Sequence, residues 1–217
     1  MNAGRVFIAR HGETVFNAAG RMQGKAAHTP LTRAGFAQAD EMGRVLREQL
    51  GAVPKLTLWS SPTGRALQTL AIVTEHLELD WHVARTDARL SEIEMGSWGG
   101  RLYRDIQAEV GEFVDPAAGL FTRRAPGGEW YDEIAVRLGS WLKAYERELG
   151  DRLIIMHGIS SRVLRGMLTG APQRPECGAA VADPLPQGSV SCIEKGIETV
   201  LHLADGGFGV SRPPAPA

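Results

Sequence analysis

Three short stretches carry the side chains that could do chemistry. Arg10-His11-Gly12-Glu13-Thr14 directly follows the apolar run Val6-Phe7-Ile8-Ala9. His157-Gly158 directly follows Leu153-Ile154-Ile155-Met156, and Arg65 comes shortly after a third run, Leu56-Thr57-Leu58-Trp59-Ser60-Ser61. Charged and polar groups at the end of an apolar strand are costly to bury unless they have partners or a task. Two arginines, two histidines and the N-termini of the helices that follow would together seat a doubly charged anion, most simply phosphate. A neutral imidazole is a nucleophile towards phosphorus. Arg10, Arg65 and a protonated His157 would stabilise the charge on a phosphoryl group in transfer without a metal ion. The leaving alkoxide then needs a proton, and the stretch Leu90-Ser91-Glu92-Ile93-Glu94-Met95-Gly96 offers two carboxylates, Glu92 and Glu94.

The elements that must position these groups can be read from apolar periodicity. Residues 5–10, 56–61 and 152–157 are short continuous apolar runs, as expected of central strands buried on both faces. Residues 81–86, 191–195 and 198–203 read as further strands, the last two joined as a hairpin around Lys195-Gly196. Met42, Val45, Leu46 and Leu50 share one face of a helix that Thr32 would cap. Ser61-Pro62 predicts a cap followed by proline at the first helical position, with Leu67, Leu70, Ala71 and Leu77 continuing that helix. Ile134, Leu138, Trp141, Leu142, Tyr145 and Leu149 form a third stripe, and Ile159, Val163, Leu164, Met167 and Leu168 a fourth. Strands alternating with helices predict an α/β three-layer sandwich with a mostly parallel central sheet, and ligands in such sheets bind outside the carboxyl ends of the strands. Residues 96–129 break the alternation. They are rich in Gly, Arg and aromatics and read as a lid insertion, a common seat of specificity.

Composition excludes several classes. The 217 residues suit one domain, read here as 1–210 with a disordered tail at 211–217, and 43% are hydrophobic, enough for a sizeable core. A net charge of −1 argues against nucleic acid or an anionic membrane as the main partner. No apolar run reaches membrane-spanning length, and the N-terminus lacks the apolar stretch of a signal peptide. The two cysteines, Cys177 and Cys192, form no disulfide framework and no ligand cluster, which fits a cytoplasmic protein with no metal site.

Four segments in this order, "ARHGETVFN", "SSPTGRALQT", "LSEIEMGSWGG" and "MHGISSR", resemble the signature segments of the histidine phosphatase superfamily, in its phosphoglycerate-mutase-like branch. The resemblance covers residues 5 to about 170. It implies that His11 becomes phosphorylated, that Arg10, Arg65 and His157 line the phosphate pocket, and that Glu92 rather than Glu94 exchanges the proton. It also implies that Asn17, Gln23 and Gly24 contact the phosphate, with Gly158 opening the helix beside it. The implied activity is hydrolysis of a small phosphorylated metabolite without a cofactor. The alternatives are a cofactor-dependent phosphoglycerate mutase or a silent phospho-ligand binding module. Mutases of that kind carry Ser-Tyr-Asp after an arginine pair, whereas here Arg123-Arg124 runs into Ala125-Pro126-Gly127. That pair reads equally well as a solvated basic turn or as a clamp for a substrate anion. Asn17 and Gln23 could equally serve a turn.

Overall fold

The first apolar run forms β1 (Val6–Arg10), buried from Phe7 onward. Residues 4–207 are described by the computed structural model, so the tail at 211–217 lies outside the described residues. One helical turn, α1 (Val15–Ala18), follows β1. Then comes α2 (Arg33–Leu50), starting at its predicted cap: the Gly35 amide donates to Thr32 Oγ1 at 3.0 Å. Next are β2 (Leu56–Ser60), α3 (Gly64–Leu77) and β3 (Arg85–Thr86). The segment expected as a lid contains α4 (Tyr103–Val110) and a small hairpin of β4 (Val114–Asp115) and β5 (Leu120–Phe121). After it come α5 (Tyr131–Ala144), β6 (Asp151–Met156) and α6 (Gly158–Thr169). A second small hairpin, β7 (Gln173–Arg174) with β8 (Ala179–Ala180), precedes β9 (Val190–Glu194) and β10 (Ile197–His202).

Six strands form one sheet in the order β10-β9-β1-β6-β2-β3. From β1 to β3 the neighbours are parallel, while β9 and β10 add an antiparallel edge. Alternate residues of the central strands face opposite sides. Phe7, Ala9, Leu58, Leu153 and Ile155 pack with Met42 and Leu46 of α2 and with Leu70, Val73 and Leu77 of α3. Ile8, Trp59, Ile154 and Met156 pack on the other side with Ile134, Leu138 and Trp141 of α5 and with Val163 and Leu164 of α6. The expected three layers follow from this division. The hairpin turn at Lys195-Gly196 has positive φ at both residues, 52° and 80°, as a tight two-residue connection requires.

Several expectations are corrected. Residues 81–86 are not a strand throughout. The Asp80 carboxylate accepts the His82 amide at 2.9 Å, turning Trp81–Val83 into a short 3₁₀ segment and leaving two residues to pair with β2. Ser61 does not cap α3; its amide still bonds Ile155 O at 3.1 Å, so the chain leaves the sheet later and Thr63 becomes the cap position. Ala71 faces outward, and Leu149 lies past the end of α5 and is 67% exposed. Within 96–129, the segment read as a lid insertion, Trp98, Ile106, Phe113, Leu120 and Phe121 are buried in the main core. Among the described residues no helix is long and apolar enough to cross a membrane.

Leu70 joins α3, whose first turn carries Arg65, to the sheet and is fully buried. Leu70→Ala should lower unfolding free energy by about 2–5 kcal/mol in a urea titration; a loss under about 1 kcal/mol would contradict this packing.

Candidate active site

Register places the two histidines. Arg10 of β1 lies opposite Met156 of β6, so the next residues, His11 and His157, leave the sheet side by side. Their rings sit 5.1 Å apart at 65°, and the His11 amide still bonds Met156 O at 3.0 Å. His11 Nδ1 lies 2.7 Å from the carbonyl oxygen of Gly12. A carbonyl only accepts, so Nδ1 carries the proton and Nε2 keeps its lone pair. Gly12 has to be glycine: a Cβ there would stand 2.2 Å from Gly35 O at the start of α2. Its amide is held by Thr69 Oγ1 of α3 at 3.2 Å, which in turn bonds Arg65 O at 2.8 Å. Burial first, and then the charges of Arg65 and Arg10, push the His11 imidazole well below its ordinary 6.5.

Arg65 is fully buried in the first turn of α3. Its Nη1 donates to Ala26 O at 2.6 Å and Thr29 Oγ1 at 3.0 Å, its Nη2 to Gly24 O at 2.9 Å, and its Nε to His157 Nδ1 at 3.2 Å. The last bond fixes the second histidine. Nδ1 must be bare to accept it, so the ring proton sits on Nε2, which is buried and has no partner among the described residues. Burial, then Arg65, His11, Arg137 and Arg10, also hold this imidazole well below 6.5. The expected protonated His157 is therefore corrected. It is a neutral ring offering an Nε2–H donor. Arg10 Nη1 donates to Leu185 O at 2.7 Å. Burial lowers both Arg10 and Arg65 to about 10, against the pull of Glu92, which leaves both charged at neutral pH.

Glu92 reaches the N-terminus of α6. Its Oε2 accepts the Ile159 amide at 3.0 Å, and its Oε1 accepts those of Ser160 and Ile93, both at 2.9 Å. His157, the cap position, makes no side-chain cap, so Glu92 caps the helix from another segment. With both lone pairs of Oε1 engaged, a proton in transit must use Oε2. A Cβ on Gly158 would lie 3.3 Å from the Arg10 guanidinium and 3.4 Å from Glu92 Oε2, so glycine there lets the three meet closely. Behind Glu92, Arg137 of α5 donates to the carbonyls of Arg89 and Glu92, and pairs with Glu129 at 2.7 and 3.1 Å. Glu94 bonds Gly96 N at 3.2 Å and does not line the pocket.

Arg10, His11, Glu92, Asn17, Gln23, Gly24 and Gly158 line one pocket, and His157, bonded to Arg65, packs its ring against that of His11. Asn17 answers to both of its readings: its Oδ1 takes part in capping α1 with Thr14, and it also faces the pocket. Gln23 Oε1 lies 2.5 Å from Thr14 Oγ1. Gly24, at φ 52°, turns its carbonyl to Arg65. Arg123 and Arg124 are not brought to the pocket. Arg123 donates to Val110 O, and Arg124 to Gly128 O and Glu133, which is the solvated-turn arrangement. Glu13 of the first stretch is structural; its Oε1 accepts from Thr32 Oγ1 at 2.7 Å. Sequence reasoning missed Arg162, Tyr103 and Leu185, all lining the pocket. Only Arg162 left a signal, a charge beside the apolar stripe of α6. Among the described residues no group of three or more His, Cys, Asp and Glu could hold a metal.

Residues 6–193 match the model of the histidine phosphatase superfamily (branch 1), and the chain belongs to that superfamily. It is 32% identical over 171 residues to the 6-phosphofructo-2-kinase/fructose-2,6-bisphosphatase of Caenorhabditis elegans, a match covering 78% of this chain and 34% of that protein. The match thus spans about a third of that relative's length. Over 175 residues it is 31% identical to "Probable phosphoglycerate mutase GpmB" of Yersinia pestis, covering 79% of this chain and 78% of the relative. Among solved structures, mycobacterial glucosyl-3-phosphoglycerate phosphatase in complex with VO3 superposes with a TM-score of 0.71 at 26% identity, covering 94% of this chain and all of that one.

The neutral histidine pair makes a prediction about pH. Both imidazoles lie well below 6.5 when folded and return to about 6.5 when unfolded. Below about pH 6.5 the unfolded chain binds more protons, so the pair's contribution is fully present above that pH and lost as pH falls towards the lowered values. Denaturant midpoints should drop between about pH 7.5 and about pH 5.5, and drop less in a His11→Gln/His157→Gln variant. Equal acid sensitivity in both proteins would contradict the assignment.

Proposed function

We propose that the protein hydrolyses phosphomonoesters of small metabolites through a phosphohistidine on His11. One observation carries this reading: Nδ1–H of His11 is tied to Gly12 O, which leaves the lone pair on Nε2, in a pocket that Arg10 also lines and beside a His157 ring held by Arg65. The substrate phosphate docks against these two guanidinium groups, the Nε2–H of His157 and the carboxamides of Asn17 and Gln23. His11 Nε2 attacks phosphorus in line, and the P–O bond to the leaving oxygen breaks. Glu92 Oε2 delivers a proton to that oxygen. Water then gives its proton back to Glu92 and attacks phosphorus, and the P–N bond returns its electron pair to His11. Fixed arginines supply the charge stabilisation, so no metal ion or organic cofactor is assigned a step. Two free cysteines fit a cytoplasmic setting.

The mutase reading is favoured by the name of the Yersinia pestis relative. Returning the phosphoryl group to a held product needs a closed site with fixed cations for the product's carboxylate. Arg123 and Arg124, the pair offered for that task, point elsewhere. Hydrolysis is therefore preferred. A silent binding module is disfavoured because His11 and Glu92 are both in place.

The proton role of Glu92 is tested by the leaving group. Glu92→Gln should slow the burst of phosphoenzyme formation from alkyl phosphates by about 10²–10⁴-fold, while p-nitrophenyl phosphate, whose leaving group needs little protonation, loses far less. Equal losses in the two bursts would remove Glu92 from the acid role.

A further inference from the structure

Residues 181–186 run from β8 towards β9 without regular secondary structure. Backbone carbonyls in such a stretch need partners from elsewhere. Here arginine side chains supply them. Arg162 Nε donates to Ala182 O at 2.8 Å, Arg165 Nη1 to Asp183 O at 2.8 Å, and Arg10 Nη1 to Leu185 O at 2.7 Å. The last bond bears on the chemistry, because Arg10 is a cation of the pocket. The carbonyl that orients it belongs to a thin wall. Pro184 and Leu185 line the pocket on one side and an open surface groove on the other.

A buried ion pair braces this wall. Arg165 of α6 is only 3% exposed. Its Nε and Nη2 meet the two carboxylate oxygens of Glu198 on β10 at 2.5 and 3.1 Å, a two-pronged contact that fixes the plane of the guanidinium. Its Nη1 is left for Asp183 O. Every guanidinium nitrogen of Arg165 is thus engaged by the protein, and Glu198 cancels the charge. Arg165 is therefore a brace and not a seat for a substrate anion. From the braced carbonyl the chain runs Asp183-Pro184-Leu185-Pro186. Proline locks its own φ near about −65° and restricts the residue before it. The stretch has little slack, so a carbonyl pinned at Asp183 also fixes the one at Leu185.

We propose that Arg165 and Glu198 are positioning residues for phosphoryl binding. Neither touches the substrate. The pair holds Asp183, the prolines carry that restraint to Leu185, and Leu185 O sets the direction of the Arg10 guanidinium. A misplacement of about 1 Å in a group that meets the reacting atoms can cost about a hundredfold in rate, so a loosened wall is felt as weaker binding of the phosphoryl group. This rests on the reading of Arg10 as a phosphate ligand, and it extends the working parts of the site to the edge strand of the sheet.

The test is a coupling measurement with vanadate, which mimics phosphorus in transfer. Arg165→Met/Glu198→Leu removes the pair without changing net charge and without leaving a lone buried charge, a replacement that folded proteins commonly tolerate. Any loss is then not the loss of a cation. Calorimetry should show vanadate binding weakened by about threefold to thirtyfold. In an Arg10→Met background no guanidinium is left to misdirect, and the same two substitutions should change binding by less than about twofold. General loosening of the structure would instead weaken both backgrounds alike. If the double variant does not fold, Arg165→Lys takes its place in the same cycle. Lysine keeps the charge beside Glu198 but lacks the fork that holds Asp183 O as well, so the same coupling is expected at smaller size. Equal losses with and without Arg10, no loss in either background, or no vanadate binding by the wild type overturns the proposal. If the coupling is found but the wild type turns over no phosphomonoester, the hydrolase reading fails and the positioning role stands.

Discussion

Burying positive charge beside two imidazoles is the constraint on which the site depends. Arg65 has no exposed surface and is held by two carbonyls, a threonine hydroxyl and a histidine nitrogen, with no ion pair among the described residues. A guanidinium held this way keeps its charge available to a visitor. It also dictates the state of its neighbours. By donating to Nδ1 of His157 it sets that ring's tautomer, and by its charge it helps keep His11 neutral. The protonation states of both imidazoles are thus influenced by one side chain. An incoming dianion meets an arrangement that needs little reorganisation, the condition under which electrostatic stabilisation is most effective.

The remaining geometry serves to hold these groups at contact distance. Parallel pairing of β1 with β6 delivers both histidines to the same edge. Gly12 lets the start of α2 press against the turn after His11, and Gly158 lets Arg10 and Glu92 approach α6. Glu92 has two tasks that are coupled. It caps α6 and, in the proposed reaction, it also exchanges the proton, so proton movement at Oε2 would be felt by the helix that carries Gly158 and Arg162. The half-buried pair of Arg137 and Glu129 stands behind the Glu92 backbone, limiting how far that coupling can displace it.

Much of this was legible in the sequence because each central group ends an apolar run. Strand ends fix position well, so Arg10, His11 and His157 could be placed from pattern alone, and the layered α/β class followed from alternation of strands and helices. Other features depend on contacts between distant segments, which no local pattern records. Nothing in residues 24–29 announces that their carbonyls seat Arg65, and nothing near Glu92 announces that it caps a helix beginning 66 residues later. The protonated state assigned to His157 failed for the same reason, since it is decided by the direction of one hydrogen bond. The strand expected at 81–86 was lost to a local competitor, the Asp80 side chain. Arg123-Arg124 drew attention as an adjacent pair, whereas Arg162, which lines the pocket, sits singly on a helix.

The central claim is that His11 Nε2 takes the phosphoryl group. Rapid mixing with a ³²P-labelled phosphomonoester, quenching within the first turnover in base, and peptide mapping by mass spectrometry tests it most directly. The account predicts one phosphoryl group per chain, on His11, stable to base, labile to acid and absent from His11→Ala. Steady turnover with no trapped phosphoenzyme, or label on His157 or any other residue, would contradict it.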